Sequence, residues 1–167
     1  MTQRTLDRID LKILDVLQQD ARVTNQALAE RVALSPSACL ARVRALEAGE
    51  FIRSYRAHVA VDRIRSVTVV HAQVSFKRHV LEEFTEFDRC ILSMPEVIEA
   101  CRISGAYDYL LRVIVNDVHH WKDIARLLLG GNYGVEKIVS NFLMDDVKPF
   151  SGYPLQGADV SSTSRNK

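Results

Sequence analysis

LSPSACLARVRALE, residues 34–47, predicts a short helix with clearly marked ends. Ser35 is a favoured N-cap residue, and Pro36 suits the first helical position, where a backbone N–H would lack a helical partner in any case. The helix should run from about residue 36 to 48 and stop near Gly49. A capped helix directly after the short turn at residues 33–34 is typical of the second half of a helix-turn-helix.

Two further helices are predicted ahead of this stretch. Apolar residues at spacings of three and four predict an amphipathic first helix, and they are Leu6, Ile9, Ile13, Val16 and Leu17. Thr24 can cap a short second helix that turns Leu28 and Val32 inward. After the third helix, FIRSYRAHVAV (residues 51–61) alternates well enough to predict a two-stranded wing or a connecting strand.

The period of the apolar pattern changes in the second half of the chain. Strands are predicted at 67–76, 96–103, 108–115 and 135–144, and helices at 80–94 and 118–129. The order βαββαβ predicts a ferredoxin-like fold, whose antiparallel sheet carries helices on one face only. The other face needs cover, and self-association is the simplest way to provide it.

The predicted fold class is therefore α+β, with a winged helix-turn-helix followed by a ferredoxin-like domain. We expect a helix-turn-helix domain at residues 1–52 and a connecting strand or linker at 53–65. The ferredoxin-like domain should cover 66–148, and the Gly-, Ser- and Pro-containing end at 149–167 predicts a flexible tail.

Composition excludes several classes of function. No run of about 18 apolar residues predicts a membrane span, and the polar N-terminus has no export signal, so we expect a cytoplasmic protein. Three widely spaced cysteines and five scattered histidines predict no metal site. GGNYG, residues 130–134, follows a helix and therefore matches no nucleotide-binding fingerprint. We predict no cofactor and no catalytic residues.

The charge distribution favours a nucleic-acid partner for the first half. The net charge is only +1, but residues 21–58 carry six lysines and arginines against three acids. From residue 61 onward, 13 basic residues face 14 acidic ones. The basic excess therefore lies with the predicted helix-turn-helix, as expected for a protein that binds double-stranded DNA.

The third helix offers mostly small side chains to DNA. With Val43 at the centre of the buried face, Leu40 turns inward and three alanines form the outermost line, between Arg42 and Arg44. Alanine can touch thymine methyl groups but cannot form bidentate hydrogen bonds to guanine or adenine. We expect phosphate contacts and DNA shape to dominate, with a preference for A/T-rich sites. The predicted DNA-binding residues are Ser35, Ser37, Ala38, Ala41, Arg42, Arg44 and Ala45.

Four motifs in this order resemble the Lrp/AsnC (feast/famine) family of transcription regulators: LDRIDLKIL, LSPSACLARVRALE, CRISGAYDYLL and GVEKIVSNFLMDDVK. The resemblance covers roughly residues 5–148. It implies a sequence-specific regulator that works as a homodimer or a larger assembly, up to an octamer. It also implies an effector pocket between dimers for an amino acid or a related metabolite, lined by Gly105, Tyr107, Asp108 and Ser140. Without the resemblance, SGAYDYLL (residues 104–111) is more typical of a plain hairpin turn.

The chain departs from the family pattern at two backbone positions. Ala33 stands in the turn, and Glu50 stands just before the wing, where the family usually has glycine. A non-glycine residue that needs a positive φ costs about 1 kcal/mol.

Three other functions compete with this interpretation. The third helix could serve only to pack, since alanines also line helix–helix contacts. Sirohaem decarboxylases resemble the same two-domain family and use histidines near a tetrapyrrole, although the histidine spacing here does not favour that enzyme. The chain could also be an assembly module whose helix-turn-helix is vestigial, but the capped helix and its basic surroundings argue against it.

Overall fold

A computed structural model describes residues 5–155, which fall into two compact units. The first unit is discontinuous in sequence: it extends to His58 and also includes the residues from Lys148 onward. The second unit comprises Val59–Val147. The parts of the predicted terminal regions at residues 1–4 and 156–167 lie outside the described residues.

Three helices form the first unit: α1 (Arg8–Gln19), α2 (Asn25–Val32) and α3 (Pro36–Ala48). The predicted caps are confirmed, because the Thr24 hydroxyl accepts a hydrogen bond from the Ala27 N–H and Ser35 accepts one from Ala38. The helices enclose a small apolar core whose fully buried members are Ile13, Leu28, Ala29, Val32, Cys39 and Leu46. Local capping signals thus set where each helix starts, and the apolar stripes join the helices.

Ala33 and Glu50 both adopt the left-handed conformation, each with φ of 56°. Ala33 ends α2, and Glu50 lies two residues after the end of α3. These are the two positions at which the family resemblance led us to expect a glycine. The turn geometry is therefore kept, at a cost in backbone strain.

No strand forms directly after α3, which corrects the prediction of a wing or connecting strand. Residues 49–67 contain only a short 3-10 helix, Val61–Arg63, and no described residue forms a β-ladder with the segment 51–60. A β-ladder requires a partner strand that satisfies its backbone groups. The alternation in this segment has no such partner within the described chain.

The second unit has the predicted βαββαβ order. It contains β1 (Thr68–Phe76), α4 (Leu81–Ser93), β2 (Val97–Arg102), β3 (Tyr109–Val115), α5 (Val118–Gly130) and β4 (Val135–Phe142). The strands pair antiparallel in the order β2-β3-β1-β4. The ferredoxin-like topology is thus confirmed.

The two faces of the sheet differ in burial. Alternate residues of β1 and β3 are fully buried with side chains from α4 and α5, and they include Val70, Ala72, Val74, Leu111 and Val113. The intervening residues of the same strands, such as Val69, His71, Leu110 and Ile114, are only half-buried. The sheet therefore has one face covered by helices and one open face.

Part of the predicted tail contacts the first unit. Among residues 149–155, the backbone of Tyr153 hydrogen-bonds to the side chain of Gln18 in α1. Within the described range, no helix is long and apolar enough to span a bilayer.

The strain at Ala33 and Glu50 predicts two stabilising substitutions. Ala33→Gly and Glu50→Gly should each raise the free energy of unfolding of the first unit by up to about 1 kcal/mol, because glycine adopts a positive φ without penalty. Urea denaturation followed by circular dichroism measures the change. Ala41→Gly, at an exposed position in the middle of α3, is the matched control and should instead destabilise by a similar amount. A loss of stability in both variants would contradict the assignment of strain.

Candidate nucleic-acid interface and effector turn

The exposed face of α3 is rotated from the one predicted by sequence. Cys39 and Leu46 are fully buried, whereas Leu40 is 38 % exposed. The buried face is therefore centred about 50° away from Val43, on the side of Cys39 and Leu46. Of the predicted DNA-binding residues, Ser35, Ser37, Ala38, Ala41 and Arg44 are exposed, while Arg42 and Ala45 are half-buried.

Arg42 is bound by two carboxylates of the first helix instead of facing outward. Its Nη1 donates to Asp7 Oδ2 at 2.7 Å and to Asp10 Oδ1 at 2.9 Å. Asp10 is only 1 % exposed, so its charge needs a buried partner. The side chain therefore joins α3 to α1, a structural role that the sequence did not predict, and its contact with a DNA backbone phosphate stays a prediction.

The same carboxylates cap α1. Asp7 Oδ1 accepts from the Asp10 N–H at 2.8 Å, and the Asp7 N–H donates to Asp10 Oδ2 at 3.3 Å. The Asp10 N–H lowers the pKa of Asp7 below its usual 3.8, and Arg42 adds to this effect against an opposing contribution from burial. Sequence reasoning missed this cluster. Its signal is Asp10 itself, an acid four residues from both Leu6 and Leu14 on the apolar side of the helix.

Six arginines of the first unit remain available for an external partner. They are exposed, and none makes a side-chain ion pair or hydrogen bond within residues 5–155: Arg8, Arg22, Arg31, Arg44, Arg53 and Arg56. Arg44 lies on the exposed face of α3 itself. Most of the positive charge in this part of the chain is therefore not neutralised by ion pairs within the described residues.

The turn between β2 and β3 is fixed to the end of β1 by Asp108. Its Oδ2 accepts the Phe76 N–H at 2.9 Å, and its Oδ1 lies 2.8 Å from His79 Nε2. Gly105 has φ of 131° and open space where a Cβ would stand, and Tyr107 is half-buried. Three of the four predicted effector residues therefore share one turn, which positions a carboxylate at the end of the sheet.

Ser140 does not lie beside that turn. It is on β4 opposite Ala72, and β1 separates β4 from β3. Its hydroxyl oxygen accepts a hydrogen bond from the indole N–H of Trp121 at 2.9 Å. Trp121 is the only tryptophan of the chain, so Ser140 is coupled to a natural fluorescent reporter.

The described residues contain no cluster of three or more His, Cys, Asp or Glu side chains that could hold a metal ion. Cys39, Cys90 and Cys101 are free thiols.

Both units match known families. Residues 6–53 match the winged helix-turn-helix DNA-binding family, and residues 69–153 match the Lrp/AsnC ligand binding domain. The chain belongs to the Lrp/AsnC family. Its matched regions coincide with the three-helix unit and with the βαββαβ unit that continues into the C-terminal segment.

Curated relatives of this Lrp/AsnC protein are transcription regulators. The transcriptional regulatory protein DoeX of Halomonas elongata is 34 % identical over 143 residues, which cover 86 % of this chain and 90 % of that protein. The leucine-responsive regulatory protein of Escherichia coli K12 is 34 % identical over 145 residues, covering 87 % and 88 % of the two chains. The similarity therefore extends through both units.

Solved structures of the family superpose along nearly the whole chain. A transcriptional regulator from Neisseria meningitidis, solved as a complex with L-methionine, aligns with a TM-score of 0.84 at 34 % identity. The alignment covers 91 % of this chain and 98 % of that one. An AsnC family regulator from Agrobacterium tumefaciens aligns with a TM-score of 0.82 at 30 % identity, covering 90 % and 97 %.

These findings identify a DNA-binding transcription regulator with a ligand-binding domain. The relatives named above are regulators, and none of them favours the tetrapyrrole enzyme considered as an alternative.

Two arginines two positions apart should behave differently when removed. Arg42→Ala should destabilise the first unit by about 2 kcal/mol, because it removes a cation that pairs with the buried Asp10 carboxylate. Arg44→Ala should leave stability unchanged and lower DNA affinity with a shallower dependence on salt. Thermal unfolding and fluorescence anisotropy on labelled duplex DNA measure the two effects.

Arg63→Ala is the control for removing one positive charge from an exposed position of the second unit. Equal stability of Arg42→Ala and wild type would show that the Asp7–Asp10–Arg42 cluster contributes nothing to the fold. Unchanged salt dependence in Arg44→Ala would remove Arg44 from the DNA interface.

Proposed function

We propose that α3 enters the major groove of A/T-rich DNA with Ser37, Ala38 and Ala41 nearest the bases. The observation that carries the proposal is the exposed face of α3, where small side chains lie beside Arg44. Small side chains allow the helix backbone to approach the groove floor closely. They also contact thymine methyl groups without selecting guanine or adenine strongly. Arg44 and Ser35 would then contact the phosphate backbone.

Arg42 and Ala45 have indirect roles in this proposal. Arg42 fixes the orientation of α3 through Asp7 and Asp10, and the half-buried Ala45 lies at the margin of the interface. The exposed arginines outside α3 would supply further phosphate contacts. Because phosphate contacts release counterions, affinity should fall steeply as salt rises.

We infer that the open face of the sheet joins two copies of the chain. Val69, Leu110 and Ile114 are apolar residues on that face. Arg112, between them, has a buried Nε with no hydrogen-bond partner in the described chain. A second copy would cover the apolar side chains and could supply an acceptor. Two helix-turn-helix units would then bind half-sites about one helical turn apart, and larger assemblies up to an octamer could follow.

A protein that regulates transcription acts where the chromosome is, so we place it in the cytoplasm. We assign it no catalytic activity and no cofactor.

DNA binding tests the first proposal directly. Sedimentation velocity with labelled A/T-rich and G/C-rich duplexes across a salt series returns both the affinity and the mass of the complex. We expect tighter binding to A/T-rich DNA, a steep loss of affinity with salt and two copies of the chain per site. No binding at low salt would show that α3 only packs, and one copy per site would contradict the homodimer.

We propose that the turn containing Gly105, Tyr107 and Asp108 binds the amino group of an amino-acid effector. The Neisseria meningitidis regulator in complex with L-methionine supports this class of ligand. The Asp108 carboxylate already accepts hydrogen bonds from Phe76 and His79, but a carboxylate has about four acceptor positions and can bind an ammonium as well. Ser140 would respond through its contact with Trp121.

Asp108→Asn removes the negative charge of the side chain but keeps its ability to hold the turn. Its amide oxygen can still accept the Phe76 N–H, whereas its attraction for an ammonium is lost. We expect affinity for L-methionine or L-leucine, measured by Trp121 fluorescence and calorimetry, to fall at least about tenfold while the unfolding temperature changes little. Asp123→Asn, an exposed aspartate on α5, is the matched control. Unchanged affinity in Asp108→Asn would remove Asp108 from the effector site.

A further inference from the structure

The side chain of Gln18 holds a backbone segment from the far end of the chain. Its Oε1 accepts the Tyr153 N–H at 2.8 Å, and its Nε2 donates to the Tyr153 carbonyl at 2.8 Å. The same Nε2 donates to Asp15 Oδ1 at 3.0 Å, which fixes the orientation of the amide. A side-chain amide that satisfies both backbone groups of one residue recognises an extended segment as a neighbouring strand would.

Gly152 is adapted to this contact in two independent ways. Its φ of 116° lies in the region that side-chain-bearing residues avoid. A Cβ at this position would also stand 2.7 Å from Cδ of Gln18. Next to it, the rings of Phe150 and Tyr153 pack edge to face with centroids 5.1 Å apart. Backbone conformation, hydrogen bonding and ring packing therefore agree on one conformation for the segment.

The polypeptide connects the two units at two points. It leaves the first unit between His58 and Val59, and it returns to that unit between Val147 and Lys148. The helix that receives the segment also carries Asp7 and Asp10, which hold Arg42 of α3. A continuous series of contacts thus runs from Tyr153 through α1 to the helix assigned to DNA.

We propose that residues 148–155 form a C-terminal strap, which docks on α1 through Gln18 and tethers the DNA-binding unit a second time. With one tether, each unit samples more orientations, and this conformational freedom is lost when two units bind neighbouring half-sites. With the strap docked, part of that loss has already occurred, so binding to two half-sites is tighter. The docking itself does not depend on the proposed function, whereas its effect on affinity does.

Hydrogen–deuterium exchange of full-length protein tests the docking. In Gln18→Ala and Gly152→Ala, peptides covering residues 148–155 should exchange at least several-fold faster than in wild type. Gln18→Ala removes the acceptor of the Tyr153 N–H, and the added Cβ of Gly152→Ala prevents the segment from lying close to Gln18. Gln19→Ala removes a neighbouring glutamine that makes no hydrogen bond among the described residues, and Gly130→Ala adds a methyl group in open space. Both controls should retain wild-type protection. Equal exchange in all five proteins would overturn the docking.

DNA affinity tests the tether. On a duplex with two half-sites, Gln18→Ala should bind about fivefold more weakly than Gln19→Ala, whereas on a duplex too short for two units the variants should bind equally. Faster exchange of the strap with no difference on the longer duplex would overturn the tethering role. If wild type binds no DNA, the proposed function and the tethering role both fail, while the exchange experiment still decides the docking.

Discussion

Asp10 is a carboxylate inside the core of a small three-helix unit, and the unit depends on how its charge is paired. A buried charge is costly unless a counterion and hydrogen bonds compensate it. Arg42 supplies a counterion, while Asp7 and Asp10 satisfy each other's backbone N–H groups at the start of α1. Because Arg42 belongs to α3, this pairing fixes the rotation of α3 about its axis. It therefore also determines which residues of α3 remain exposed on the surface of the unit.

The interface that results is built mainly from small side chains and unpaired arginines. Pairing Arg42 inward leaves Arg44 as the exposed cation of α3 and turns Ala38 and Ala41 outward. Such a surface suits a regulator that recognises DNA shape and backbone more than individual base edges. The left-handed residues Ala33 and Glu50 keep the turns around α3 tight at some cost in stability. The geometry that presents α3 is maintained even though both positions lack glycine.

In the second unit, Asp108 links the sheet to the effector turn. One oxygen binds the last residue of β1 through the Phe76 N–H, so the turn is held in a fixed position relative to the strand. The other oxygen lies next to an exposed histidine, where a charged ligand could approach. A partly exposed carboxylate that also holds the turn suits a sensor, since a ligand bound at its outer oxygen, as proposed, would act directly on the end of a strand.

The sequence by itself determined the features that depend on neighbours within a few residues. The N-caps Thr24 and Ser35, the helix periods, the βαββαβ order and the turn at Gly105 were all predictable, because capping and periodicity are local. Only the tertiary structure decided the rotation of α3, since Arg42 binds a residue 35 positions away. The same holds for the strap, where Gln18 and Tyr153 are 135 positions apart. The predicted strand after α3 failed for the converse reason: alternation shows that a segment could pair, but a strand forms only where the fold supplies a partner.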